Sequence, residues 1–176
     1  MNPRKNAKQK LTDHVLSEIM ENNYLTNDII DIRGGFNSVI RELKINGRII
    51  LELDQREFAV ARLLAEYSLA LGRSPDPAAA ELTTFLPVKR MLAEIERMRE
   101  AGQILFAQWR TPMETDVHRA VSRLRKNIAA AKGNPNLIET GPHLAGYRLS
   151  TPWKNISITV IRDDVDPGAG PSSILG

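Results

Sequence analysis

A mainly helical α+β fold is what this sequence predicts, and three observations predict it. Apolar residues recur at helical spacing in several capped segments, most clearly over residues 54–71, 85–101 and 116–131. Short runs punctuated by Asn, Gly and Pro, at 45–53 and 137–149, read as small β-hairpins. The chain has 176 residues, 42% of them hydrophobic and 26% charged, so it suits one domain or two small ones around an ordinary core.

Taken in order, residues 1–10 hold Arg4, Lys5, Lys8 and Lys10 with no acid, and read as a flexible basic arm. Leu11 to Asn23 predicts a helix capped by Thr12 or Asp13, with Val15, Leu16, Ile19 and Met20 as its apolar stripe. A shorter helix is expected from Thr26 to Ile32, ending before Gly34 and Gly35. A third is expected from Phe36 to Ile45, with Phe36, Val39, Ile40 and Leu43 inward. Three short helices leading into NGRIILEL outline a winged helix-turn-helix over residues 11–53, with Arg41 and Lys44 on or beside its exposed face. The same residues admit a second parse. Asn46-Gly47 readily supplies the positive φ values of a type I′ turn, which makes 41–53 a β-hairpin leading into the helix that starts at Asp54. Both parses are open to the sequence, with three capped periodic helices weighing more toward the first than one Asn-Gly does toward the second.

Asp54 caps the next helix, to Leu71, with Phe58, Ala61, Leu64, Ala65 and Leu69 as its stripe; Gly72, Pro75 and Pro77 stop it. Phe85 to Ala101 predicts another, with Pro87 in its first turn, Val88, Met91, Leu92, Ile95 and Met98 inward, and Gly102 ending it. Gln103 to Trp109 reads as a short strand or buried turn. Beyond Leu149, TPWKNISITVIRDD alternates imperfectly and adds a strand or packs across the domain. Residues 163–176 are rich in Gly, Pro and Ser and read as a flexible tail.

The stretch from Thr115 to Leu149 carries the function. Val117, Val121, Leu124 and Ile128 form one helical stripe, and His118, Arg119, Ser122, Arg123, Arg125 and Lys126 turn away from it. Residues 115–150 contain six Lys or Arg against two acids, a local +4 in a chain whose total is +3. A solvated face ordinarily mixes signs to gain i,i+4 pairs, so this bias points to a polyanion. After the helix, Lys132 enters a Gly-Asn-Pro turn, and residues 137–149 form a hairpin bearing His143 and Arg148.

Ser122-Arg123-Leu124-Arg125, Ile138-Glu139-Thr140 and Gly146-Tyr147-Arg148-Leu149 together resemble the end of the winged-helix output domain of OmpR/PhoB-type response regulators. Leu53, Glu57, Phe58, Leu63 and Leu64 match the first helix of that domain. The resemblance implies a C-terminal winged helix over 54–162 with an insertion around 72–102, in tandem with the N-terminal unit. It implies helix 115–131 in the major groove of double-stranded DNA and hairpin 137–149 as the wing, reaching toward the minor groove. His118, Arg119 and Arg123 would then reach bases, with Arg125, Lys126 and Lys132 on phosphates and His143 and Arg148 on the wing. Three features depart from the family, one of them a wing about one residue longer. Ala120 stands where a His is usual, and the tip Gly141-Pro142-His143-Leu144 stands where Arg is common. No stretch of the chain matches the receiver domain that usually accompanies this family, so phosphorelay control is not implied.

Other chemistries find little footing. The chain has no cysteine, which excludes disulfides, thiolate zinc sites and thiol catalysis. His14, His118 and His143 are scattered, with no metal-ligand spacing. No nucleophile elbow or phosphate-binding loop occurs, and Asp163-Asp164-Val165-Asp166 reads as a solvated acidic tail. No apolar run reaches membrane-span length and no signal-peptide core opens the chain. The expectation is a cytoplasmic, nucleoid-associated DNA-binding regulator and not an enzyme. Its partners would be duplex DNA and a second copy of itself, with no cofactor, metal or membrane. A winged-helix protein scaffold and a plasmid or phage replication initiator are the alternatives; residues 51–114 are net acidic, with eight basic residues against ten acidic, which favours the scaffold.

Overall fold

Ile30 and Ile32 alternate with Asp31 and Arg33, and Leu43 and Ile45 with Glu42 and Lys44, so each run can bury one side and wet the other. In the computed structural model, which describes residues 24–73, 85–103 and 111–161, these runs are strands β1 (Ile30–Gly34) and β2 (Arg41–Ile45). Strand β3 (Ile49–Glu52) comes next, through a tight turn whose Asn46 and Gly47 have φ of 54° and 65°. The Arg48 N–H donates to the Ile45 carbonyl at 3.1 Å across it, as a type I′ hairpin requires.

The helices expected at Thr26–Ile32 and Phe36–Ile45 are therefore not formed. Their place is taken by β1, a turn and β2. Period 2 prevails over period 3.6 because β-branched residues occupy most of the inward positions and Gly34-Gly35 breaks the run. Val39, a rib of the expected helical stripe, is 97% exposed. Of the two parses of this segment, the leading hairpin is the one the chain adopts. The expected helix at Leu11–Asn23, the basic arm, all but Gln103 of the strand or turn at Gln103–Trp109 and the C-terminal tail lie outside the described residues, the last beyond Ile161.

Six strands and three α-helices occur among the described residues. Helix α1 (Gln55–Gly72) begins at Asp54, whose carboxylate accepts the Glu57 N–H at 2.8 Å, while Glu57 accepts the Asp54 N–H at 3.1 Å. This reciprocal cap satisfies two otherwise orphaned donors. The first half of α1 is buried nearly all round, from Glu57 to Val60 and from Leu63 to Ala65. The sheet lies against one side of it, and helices α2 (Val88–Glu100) and α3 (Glu114–Ala130) against others. Pro87 caps α2 rather than entering its first turn.

After Leu149 the chain returns as β6 (Ile156–Val160), which pairs parallel to β1 in a four-stranded sheet ordered β3-β2-β1-β6. Residues 30–53 thus share a sheet with 156–160 and a core with α1, and a boundary at 53/54 would run through that core. Ile30, Ile32, Leu43 and Ile45 meet Phe58, Leu64 and Leu124 in one cluster. Each large side chain buried in this way contributes about 1.5–3 kcal/mol.

The second sheet is the hairpin β4 (Ile138–Thr140) and β5 (Tyr147–Leu149). Leu86, just before α2, bridges antiparallel to Tyr147, with N–H to carbonyl distances of 2.8 and 3.1 Å. Only glycine fits at position 146: φ is 140°, and a Cβ there would stand 2.1 Å from the Leu86 carbonyl oxygen.

Candidate nucleic-acid interface

Helix α3 buries the ribs that its spacing predicts. Val117, Val121, Leu124 and Ile128 are at most 1% exposed. Its N-terminus is fixed by Asp116, whose carboxylate accepts the Met113 N–H at 2.9 Å, so that acid is spent on the helix start and lies buried. Opposite the ribs, Thr115, Arg119, Ser122, Lys126, Ala129 and Ala130 form a continuous exposed strip with no carboxylate. Arg119 and Lys126 make no ion pair among the described residues. Lys132, with φ of 63°, extends the strip just beyond the helix.

Two edges flank the strip, and each is tied to a neighbouring element. On one edge, Arg123 donates to Asp54 at 2.8 Å, the two side chains being 61% and 45% exposed. An ion pair so exposed is worth about 0–1 kcal/mol, so a phosphate or a guanine can take the guanidinium over at small cost. Asn127 beside it donates to Glu57 at 3.4 Å. Burial pushes the Glu57 carboxyl above the ordinary value of 4.5; the Asp54 N–H opposes this, Asp54's charge adds to it and Arg123's charge lowers it.

The other edge is locked to the hairpin. Arg125 donates through Nε and Nη2 to the Ile138 carbonyl at 2.9 and 2.7 Å, and through Nη2 to Thr140 Oγ1 at 2.8 Å. Its guanidinium carbon also stands 5.7 Å from the Tyr147 ring centre. The Tyr147 hydroxyl lies 2.5 Å from His118 Nδ1. Burial raises the Tyr147 phenol above its usual range, with Arg125 acting the other way, so it stays protonated at neutral pH.

The residues expected to contact DNA therefore divide. Arg119, Ser122, Arg123 and Lys126 share one face of α3, with Lys132 beyond its end and His118 part-buried at its hairpin edge. His143 is exposed at the hairpin tip. Arg125 is committed to holding β4, as its three donated bonds show. Arg148 points inward at 9% exposure: it pairs with Glu139 at 2.7 Å and lies between the rings of Phe85 and Tyr24, at 4.7 and 5.2 Å. It is not a wing cation.

Arg41 and Lys44 are on β2, not on a recognition helix. Arg41 donates to the Leu53 carbonyl at 3.2 Å and the Ser38 carbonyl at 2.7 Å. Lys44 stands on the sheet face turned away from α1, opposite Asp31 and Ile50, where charges of both signs alternate. Sequence reasoning did not single out Lys89 and Arg90. Both are exposed in the first turn of α2, just after the Leu86–Tyr147 bridge, and the missing acids in that turn were a readable signal.

Among the described residues no three His, Cys, Asp or Glu come together as a metal site, and no helix is long and apolar enough to cross a membrane. No family model, curated protein or solved structure matches the chain.

Proposed function

We propose that the chain binds double-stranded DNA sequence-specifically as a winged helix-turn-helix regulator of transcription, with α3 as its recognition helix. The order α1, bridging residue Leu86, α2, α3 and hairpin β4–β5 supports that reading, as does the lateral attachment of the hairpin to α3 through Arg125 and Tyr147. A 17-residue helix is about 25 Å long, and a B-form major groove about 12 Å wide admits it. Arg119 and Arg123 are the base readers, since a guanidinium matches guanine O6 and N7 in a bidentate pair. Lys126 and Lys132 neutralise phosphate and set register. Ala129 and Ala130 keep the surface low, so the backbone can approach the groove floor.

The observation that carries this reading is the acid-free strip of α3, in which Arg119 and Lys126 have no ion-pair partner among the described residues. Selection of bound duplexes from a random-sequence pool, followed by anisotropy titrations at several salt concentrations, tests it. Arg119→Ala should cost about 1–3 kcal/mol at one base pair and relax preference there. Lys126→Ala should weaken all duplexes alike and flatten the salt slope by about one unit. A double variant that binds as tightly as its parent, or a parent that retains no duplex at low salt, would reject the reading.

A further inference from the structure

We infer that the outer edge of β6 is the interface through which two copies of this chain pair, antiparallel, about a two-fold axis centred on Ile158. The inference stands apart from the DNA-binding reading, and it gives the second copy expected from the sequence a place to dock. No described strand pairs with β6 on the side away from β1. One bond fixes which backbone groups lie on that open side: the Ile161 N–H donates to the Gly34 carbonyl at 3.2 Å. Successive residues of a strand direct their N–H and C=O groups to opposite sides, so Ser157 and Thr159 also address β1. Those of Ile156, Ile158 and Val160 face outward.

Sheets guard such an edge with charge, proline, a bulge or brevity. Strand β6 runs five residues, Ile-Ser-Ile-Thr-Val, in unbroken register with β1, and contains neither charge nor proline. All but Ser157 are β-branched, the kind of residue that suits a pleated surface. The opposite edge, β3, is shorter and ends on Glu52. At the open edge Ile158 is only partly buried and Val160 is 54% exposed.

The pattern of the strand identifies its occupant as itself. An antiparallel pair exchanges hydrogen bonds between residues whose backbone groups face each other, so Ile156, Ile158 and Val160 must be matched among themselves. Centring the axis on Ile158 sets that residue opposite its own copy and Ile156 opposite Val160. Every outward N–H and C=O of the strand then has a partner. Moving the axis to Ser157 strands Val160, and moving it to Thr159 strands Ile156. Side chains also match by kind in the centred register. Ile156, Ile158 and Val160 meet one another on the face that carries Ile30 and Ile32, which continues the core from one copy into the next. Ser157 meets Thr159 on the other face, and an uncharged strand repels nothing across the axis. The same edge serves both copies, so assembly closes at a dimer.

The test uses the full chain without DNA. Sedimentation over a range of concentrations should show a monomer–dimer equilibrium. Val160→Lys sets an ammonium opposite Ile156 at both ends of the pairing and should weaken association about tenfold or more. Its thermal midpoint, measured on dilute monomer, should match the parent's, because the side chain is exposed. Ile50→Lys adds the same charge on β3, at a residue 55% exposed, and should associate as the parent does. The chain has no cysteine, so Ile158→Cys gives one thiol per copy. A hydrogen-bonded pair holds its Cα atoms about 5.5 Å apart, a separation that a disulfide spans. Mild oxidation should join Ile158→Cys into covalent dimers and leave Ser157→Cys, which faces Thr159, largely single. A chain that sediments as a monomer throughout overturns the inference. So does a dimer that Val160→Lys leaves intact or that Ile158→Cys fails to join, since its interface lies elsewhere. A monomer whose Ile158 and Val160 amides resist hydrogen exchange would assign the edge to a segment of the same chain and overturn it equally. None of these results bears on whether α3 binds DNA.

Discussion

The exposed strip of α3 and the β4–β5 hairpin beside it are neighbours in one basic stretch, yet they use their cations in opposite ways. On α3, Arg119 and Lys126 project with no ion pair among the described residues, and Arg123 holds only an exposed one. In the hairpin, Arg148 is nine-tenths buried, paired with Glu139 and stacked by Phe85 and Tyr24. Arg125 marks the border between the two, rooted in the helix and spent on the hairpin. A local excess of positive charge is thus divided between a surface and the frame that holds the surface in place. Local charge density does not distinguish them; the partners of each guanidinium do.

The sharpest way to break this comparison is at Arg148. Arg148→Ala leaves Glu139 poorly compensated in a part-buried site, which should cost about 3 kcal/mol, the low end for a broken buried pair because Glu139 is 22% exposed. For a chain of this size that lowers the thermal midpoint by roughly 6–12 °C. The folded fraction, assayed well below the transition, should bind DNA as its parent does. Loss of affinity at unchanged stability would place Arg148 on the surface with the α3 cations.

A smaller effect is expected at the Arg123–Asp54 pair. Asp54→Asn keeps an oxygen for the Glu57 N–H but removes the charge facing Arg123, so stability should change by about 1 kcal/mol or less. Under the proposed DNA-binding function, affinity for duplex should rise, because Arg123 would no longer have to leave a carboxylate to reach it. Denaturant unfolding and low-salt titrations of the same variant read the two quantities separately. Lower affinity would mean instead that Asp54 orients Arg123 toward the proposed base contact.

Much of the frame is legible in the sequence. The α1 cap at Asp54 and Glu57, the buried ribs of α3 and the hairpin closing on Gly146 all depend on contacts within a few residues, and local pattern encodes such contacts well. Residues 26–45 mislead because Phe36, Val39, Ile40 and Leu43 satisfy a helical period while Ile30, Ile32, Leu43 and Ile45 satisfy a strand period. Local β-branching and Gly34-Gly35 tip the choice, and β6, more than a hundred residues away, adds to it by pairing with β1. No local pattern contains that partner. The same holds for the site: which cations face outward on α3 is set by the helical period, but that Arg148 meets Glu139, Phe85 and Tyr24 depends on three segments brought together by folding. Lys89 and Arg90 are marked only by a first helical turn without acids, a weaker signal than the excess on α3 because the rest of their helix mixes charges.

The smallest effect lies beneath the strip, at Glu57, where frame and surface meet. Its carboxyl is buried, accepts the Asp54 N–H and is within reach of Asn127 on α3. Burial raises its folded-state pKa above the ordinary 4.5, so the folded chain holds a proton there that the unfolded chain has released. Stability must therefore fall as pH rises from about 4.5 through the raised value, with the full cost present above it. Glu57→Gln keeps an oxygen for the Asp54 N–H and never carries the charge. The variant should melt above its parent at neutral pH, and the gap should close as pH falls through the raised value toward 4.5, where the parent becomes neutral too. Thermal midpoints of both proteins across this range, compared as a difference so that all other titrations cancel, measure it. A gap independent of pH would trace the effect to packing. A parent more stable at neutral pH would mean that the ionised carboxylate is held by Arg123 and Asn127, making this acid part of the frame that aims the α3 cations outward.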